Sequence, residues 1–245
     1  MDQFMHAEFW IAVGQIIMID ILLGGDNAVV IALACRKLPA HQRTQGILWG
    51  TAGAIVLRVV LIFFALALLA IPYLKIAGAA LLIWIGVKLI APGDEEEHGN
   101  IEGSDKLWGA VKTVIVADLV MSVDNVIAIA GAAQSAGGDH QMPLVIFGLL
   151  VSIPIIVWGS QMVIKLMDRF PAIIVLGGML LGWIAGTMAV SDPAVMAYLP
   201  TTPAARPELP PEVVSTVRYG AGIAGALLVY LIGKLVQSRM PAAEA

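Results

Sequence analysis

Charge and cysteine are scarce in this chain. Only 13% of its 245 residues are charged, about half the share typical of soluble domains, while 59% are hydrophobic. A single cysteine, Cys35, excludes an intrachain disulfide and any thiolate metal cluster. No basic surface of the kind that binds nucleic acid is evident, and the first residues lack the cationic region of a signal peptide. We therefore expect a membrane protein whose first hydrophobic run is retained as a helix.

Seven apolar segments are long enough to cross a bilayer, which takes about 20 helical residues. They lie near residues 9–34, 46–71, 73–90, 107–133, 143–167, 171–190 and 217–236. The sequence thus predicts an all-α polytopic membrane protein with about seven transmembrane helices embedded in the lipid bilayer.

Lysine and arginine are distributed unequally between the two sides of this arrangement. With the N-terminus outside, three lie on the outer side and ten on the inner side. The inner ten are Arg36, Lys37, Arg43, Lys88, Lys106, Lys112, Lys165, Arg169, Lys234 and Arg239. Because basic residues are retained on the cytoplasmic side, the count predicts a multi-pass protein of the cell membrane with its C-terminus in the cytoplasm.

One motif, D-x5-D-N, occurs twice within the predicted spans, at an offset of 98 residues. Its polar residues are Asp20, Asp26, Asn27, Asp118, Asp124 and Asn125. Each aspartate at membrane depth costs roughly 2.5–3.5 kcal/mol, so we expect the four to serve a function. The structural alternative, interhelical hydrogen bonding, yields well under about 2 kcal/mol per contact and offsets that cost poorly.

The two copies of the motif fall on the first and fourth predicted helices, so the second copy enters the membrane in the opposite direction. This pattern predicts two inverted three-helix repeats plus a C-terminal helix, an architecture that in transporters places the site near the midplane. The boundaries are 1–93 for the first repeat, 94–106 for an acidic inside loop, 107–190 for the second repeat, 191–216 for a proline-rich outside loop and 217–245 for the C-terminal helix and tail.

Helical geometry constrains how each copy could surround an ion. Residues seven apart, such as Asp20 and Asn27, share a helix face, whereas Asp26 lies about 120° away. All three side chains can reach one point only if the helix bends, and Gly24-Gly25 favours a break in the first copy. The second copy has Ser122-Val123 at that place, so the sequence leaves a second break open.

Carboxylate and amide oxygens together form a ligand set suited to Mg²⁺, Ca²⁺ or Mn²⁺. Four ionised aspartates around one divalent ion leave negative charge uncompensated, and clustered carboxylates favour proton binding. Proton–metal exchange is therefore a natural hypothesis. Arg58, in the middle of the second predicted helix, is a candidate counter-charge that either pairs with an aspartate to hold the bundle together or takes part in transport.

The segments GGDNAVVIA, from Gly24, and SVDNVIAIA, from Ser122, resemble the paired signatures of the TerC family of integral membrane proteins. The resemblance covers the first six predicted helices and is nearest to the YjbE/YkoY-type branch, which has no appended soluble domains. It implies an exporter of a divalent cation, Mn²⁺ in the best-understood branch, with the same six motif residues as ligands. The Ser-Val in the second copy puts the symmetry of the two half-sites in doubt.

Three functions fit these observations. The first is a secondary transporter that exports Mn²⁺, or alternatively Ca²⁺ or Mg²⁺, with no cofactor besides the transported ion. The second is a membrane platform that delivers Mn²⁺ to exported metalloenzymes, with a secretion component as partner. The third is an intramembrane aspartyl protease, in which two carboxylates share a proton, but it gives Asn27 and Asn125 no role. We therefore expect a transporter and not an enzyme.

Overall fold

A computed structural model describes residues 14, 18, 26–69, 71–91, 103–135, 141–202 and 212–239, and these are mainly helical. The helices are α1 (Asp26–Cys35), α2 (Ala40–Leu69), α3 (Leu74–Ile90), α4 (Gly103–Ser135), α5 (Gln141–Arg169), α6 (Ala172–Val190), α7 (Pro193–Met196) and α8 (Ser215–Arg239). One short antiparallel pair joins β1 (Thr201–Thr202) to β2 (Glu212–Val213). The predicted all-α class is confirmed.

Four of the described helical segments are long and apolar enough to cross a membrane. They are Ala40–Leu61, Leu149–Arg169, Ala172–Val190 and Ser215–Arg239. They coincide with the second, fifth, sixth and seventh predicted spans, and their helices expose large apolar side chains such as Trp49, Trp158 and Leu231. A lipid environment favours apolar side chains on the outer surface of helices. The full count of seven spans stays a prediction.

The chain divides into two compact units. Unit 1 comprises Met1–Leu68 and Ile101–Asp168, and it contains α1, α2, α4 and α5. Unit 2 comprises Leu69–Asn100 and Arg169–Ala245, and it contains α3, α6, α7 and α8. Each unit thus combines helices from both predicted repeats. The units group residues by spatial contact, whereas the repeat boundaries describe a duplication along the sequence. The repeat boundaries therefore stay predictions.

Within unit 1, two glycines allow α2 to approach α4 closely. A Cβ atom at Gly50 would lie 2.9 Å from a methyl of Val114, and one at Gly53 would lie 2.5 Å from the Cδ1 atom of Ile115. Real Cβ contacts are not this short, so larger residues would push the helices apart. This close approach brings the middle of α2, where Arg58 lies, next to α4.

Within unit 2, α8 packs backbone to backbone against α6. Cβ atoms added at Gly182 or Gly225 would collide with the carbonyl oxygen of the other glycine, and one at Gly186 would collide with that of Ala221. Such contacts between small residues are a common way to join membrane helices, where apolar side chains gain little from leaving lipid. The helix outside the two predicted repeats is therefore an integral part of unit 2.

Asp192 fixes the start of α3 from a position 119 residues away along the chain. The carboxylate is fully buried, and its oxygens accept hydrogen bonds from the backbone N–H groups of Tyr73 (2.9 Å) and Lys75 (3.1 Å). It also caps α7 by accepting from the Ala194 N–H at 2.9 Å. Tyr73 has a φ of 66°, a strained value for a non-glycine residue, and the Asp192 contact holds it there.

Replacing Gly225 by valine should lower the melting temperature of the purified protein by at least about 5 °C, because the new side chain forces α6 and α8 apart. Gly220→Val is the matched control, since Gly220 lies on the same helix and nothing lies within 4 Å of its added Cβ. Thermal unfolding in detergent, followed by tryptophan fluorescence, compares the two variants. Equal melting temperatures would contradict the backbone contact.

Candidate cation site

Three buried side chains form a closed set of hydrogen bonds between α2 and α4. Arg58 Nη2 donates to Asp118 Oδ1 at 2.6 Å, and Arg58 Nε donates to Ser122 Oγ at 3.2 Å. The Ser122 hydroxyl in turn donates to Asp118 Oδ2 at 3.0 Å. Because Asp118 and Ser122 are four residues apart on one helix, they present adjacent groups to the guanidinium. Arg58 is thus paired with an aspartate, which is one of the two alternatives that the sequence left open.

This ion pair is almost completely shielded from solvent. The side chains of Arg58 and Asp118 are only 3% and 7% exposed. Removing two charges from water carries a desolvation cost that only good geometry and further hydrogen bonds can offset. Ser122 forms such hydrogen bonds with both partners, so the three residues form one polar cluster inside unit 1.

Asp26 brings the first copy of the motif to the same region. Its Oδ1 accepts a hydrogen bond from the Asn27 backbone N–H at 2.9 Å. Asp26 and Asp118, 92 positions apart in sequence, both belong to unit 1, as does Arg58. Unit 1 therefore contains aspartates from both copies of the motif.

The Asn27 side chain is buried, with only 4% of the residue exposed. Neither its Oδ1 nor its Nδ2 atom has a hydrogen-bond partner within the described part of the chain. A buried polar atom left unsatisfied costs roughly 1–3 kcal/mol, so such atoms call for an explanation. An amide oxygen next to Asp26 is a suitable ligand for a hard cation.

The six predicted ligands are described to different extents. Asp26, Asn27 and Asp118 have described side chains, and all three belong to unit 1. Asp20 lies outside the described residues, and Asp124 and Asn125 are described only as helical backbone. Within the described ranges, no group of three or more His, Cys, Asp or Glu side chains forms a metal cluster. The six-residue ligand set therefore remains a prediction.

The second copy of the motif lies in an uninterrupted helix. α4 runs from Gly103 to Ser135 and passes through Asp118 and Asn125 without a break. The position of Asp124 on this helix is consequently about 120° around the axis from the face that carries Asp118. The sequence left open whether the helix breaks at Ser122-Val123, and the structure shows no break there.

Two buried polar residues of α2 and α4 were not among the predicted site residues. Ser122 could have been found from its spacing, because residues four apart on a helix are neighbours. Thr51 lies seven residues before Arg58 on α2, is 2% exposed, and has no hydrogen-bond partner for Oγ1 among the described atoms. Its helical spacing from Arg58 is the only sequence signal that pointed to it.

Apolar helices that enclose an arginine–aspartate pair define a polytopic integral membrane protein with a polar site inside one helical unit. The sequence profile described as "Integral membrane protein TerC family" matches residues 5–240. The chain belongs to the TerC family.

Several relatives are themselves membrane proteins. The chain is 40% identical to the uncharacterized membrane protein YjbE of Bacillus subtilis, over 80% of this chain and 86% of that protein. It is 25% identical to the inner membrane protein YgdQ of Escherichia coli, over 67% of this chain and 73% of the relative. It is also 25% identical to YkoY of Bacillus subtilis, over 76% and 63% respectively. No solved structure is detectably similar to the chain.

Asp118→Leu should lower the free energy of unfolding by roughly 3–5 kcal/mol, because it removes the carboxylate that faces the buried charge of Arg58. The double variant Arg58→Met/Asp118→Leu should regain most of that loss. Denaturant unfolding in detergent measures both. Asp168→Leu, which removes the exposed partner of Arg43, is the control and should change the free energy of unfolding little. An Asp118→Leu protein as stable as the original would contradict the buried pair.

Proposed function

We propose that this protein is a secondary transporter that exports a divalent hard cation, with Mn²⁺ as the first candidate, in exchange for protons. The observation that carries the proposal is the convergence of the two motif copies in unit 1. Asp26 and Asn27 of the first copy and Asp118 of the second all belong to unit 1, and the buried amide of Asn27 has no hydrogen-bond partner among the described residues. Buried carboxylates inside membrane helices are a common feature of ion pathways.

Carboxylate and amide oxygens would hold the ion as direct ligands. We assign this role to the six motif residues: Asp20, Asp26, Asn27, Asp118, Asp124 and Asn125. Because α4 is continuous here, Asp124 can meet Asp118 and Asn125 at one point only if the helix bends when the ion binds. Such an all-oxygen set suits Mn²⁺, Ca²⁺ and Mg²⁺, and the preference for Mn²⁺ rests on the resemblance to the TerC family. The cation is the transported substrate, so we propose neither a resident cofactor nor an enzymatic reaction.

Proton exchange follows from the charge on the site. Aspartates that share a buried site repel one another, and this repulsion is relieved by a bound cation or by bound protons. Alternation between the two states would couple metal movement in one direction to proton movement in the other. The membrane-embedded position of the motif makes this coupling vectorial.

We further propose that seven spans form two inverted three-helix repeats. The composition of the two units supports this arrangement, because the helices that correspond in the two repeats occur together. Unit 1 holds α1 with α4 and α2 with α5, and unit 2 holds α3 with α6. A duplicated three-helix segment explains why each unit takes helices from both halves of the chain.

Asp20→Asn and Asp124→Asn should each reduce Mn²⁺ flux into proteoliposomes by at least tenfold, because each removes a charged ligand. The assay imposes a pH gradient, follows Mn²⁺ with a trapped metal indicator, and follows protons with a trapped pH dye. Asp168→Asn, an exposed aspartate of unit 1, is the control and should transport normally. Unchanged flux in both motif variants would overturn the site assignment, and intact protein without flux would overturn the transport proposal.

We propose an orientation with the N-terminus outside and the C-terminus in the cytoplasm, because ten of the lysines and arginines then lie inside. Tyr198→Cys is expected to react with a membrane-impermeant maleimide in intact cells, whereas Ser238→Cys should react only after permeabilisation. Both positions are exposed, and the native Cys35 is fully buried, so little background labelling is expected. The opposite labelling pattern would reverse the orientation.

A further inference from the structure

Both carboxylate oxygens of Asp118 are already engaged in hydrogen bonds. Oδ1 accepts from Arg58 at 2.6 Å, and Oδ2 accepts from Ser122 at 3.0 Å. A divalent cation bound to Asp118 would therefore lie close to a guanidinium group, which keeps its positive charge at any relevant pH. The guanidinium repels a metal ion at the same buried carboxylate, so metal binding and this ion pair oppose each other.

We propose that Arg58 is a tethered counter-cation that competes with the transported ion for Asp118. When no metal is bound, Arg58 compensates the charge of Asp118, and when the metal binds, the pair must separate. This inference rests on the proposed function of the same site. It makes Arg58 a positioning residue that sets the affinity of the site for divalent cations.

The arrangement of the helices suits Arg58 to this role. Arg58 lies on α2, whereas Asp118 and Ser122 lie together on α4. Separation of the pair would break only the contacts between the two helices, and the Ser122–Asp118 hydrogen bond within α4 could persist.

The test measures Mn²⁺ binding to the purified full-length protein in detergent at pH 8, using electron paramagnetic resonance to count free Mn²⁺. Arg58→Gln, which keeps a hydrogen-bond donor but loses the charge, should lower the dissociation constant at least tenfold. Arg58→Lys keeps the charge and should stay within about threefold of the original protein. Arg43→Gln removes a charge from the exposed pair with Asp168 and should change the constant less than twofold.

Ser122→Ala provides a second variant with a small, conservative change. It removes the hydroxyl that binds both Arg58 and Asp118, loosens the pair, and should tighten Mn²⁺ binding about threefold. A purely structural role for the pair predicts the opposite, because breaking it would disorder the site and weaken binding. Equal or weaker Mn²⁺ binding in every Arg58→Gln or Ser122→Ala protein that remains folded would overturn the competition.

The same titration separates this inference from the proposed function. Mn²⁺ binding by the original protein that is not tightened in the variants would overturn only the role of Arg58. An absence of binding in the original protein and in all variants would overturn the transport proposal together with the inference. Mn²⁺ binding that is detected only in the Arg58→Gln protein would support a competition in which Arg58 excludes the metal ion from Asp118 completely.

Discussion

The buried ion pair between Arg58 and Asp118 is the interaction on which the rest of unit 1 depends. Neither charge could be kept at this depth alone, because an unpaired ion in a membrane interior carries a large desolvation cost. The pair forms only if α2 and α4 approach closely, and Gly50 and Gly53 permit that approach. Ser122 completes the hydrogen bonding of both charged groups. The close packing of α2 against α4 and the pairing of the two buried charges therefore depend on each other.

The structure describes different polar residues in the two copies of the motif. In the second copy, Asp118 is bonded to protein groups on both oxygens and lies in a continuous helix. In the first copy, Asn27 has a buried amide without a partner among the described residues. Ser122, which stands where the first copy has Gly24, provides the hydroxyl that bonds to both members of the ion pair.

Sequence patterns predicted the helical class, the family and the burial of Asp118, because long apolar runs and a duplicated polar motif are local signals. They left open whether Arg58 pairs with an aspartate, and they did not identify which aspartate. The contact of Asp192 with the start of α3 could not be predicted, since it joins residues 119 positions apart without any motif. The grouping of helices into two units was likewise beyond the sequence, because it depends on three-dimensional packing.

We propose that aspartates from both motif copies bind a hard divalent cation beside Arg58. The most direct test is an anomalous-diffraction map, recorded at the manganese absorption edge, from crystals of the protein grown with Mn²⁺. We expect one strong peak within about 2.0–2.6 Å of carboxylate oxygens of Asp26 and Asp118, with the Arg58 guanidinium displaced from Asp118. Manganese bound only elsewhere, or no peak between these aspartates, would contradict the account.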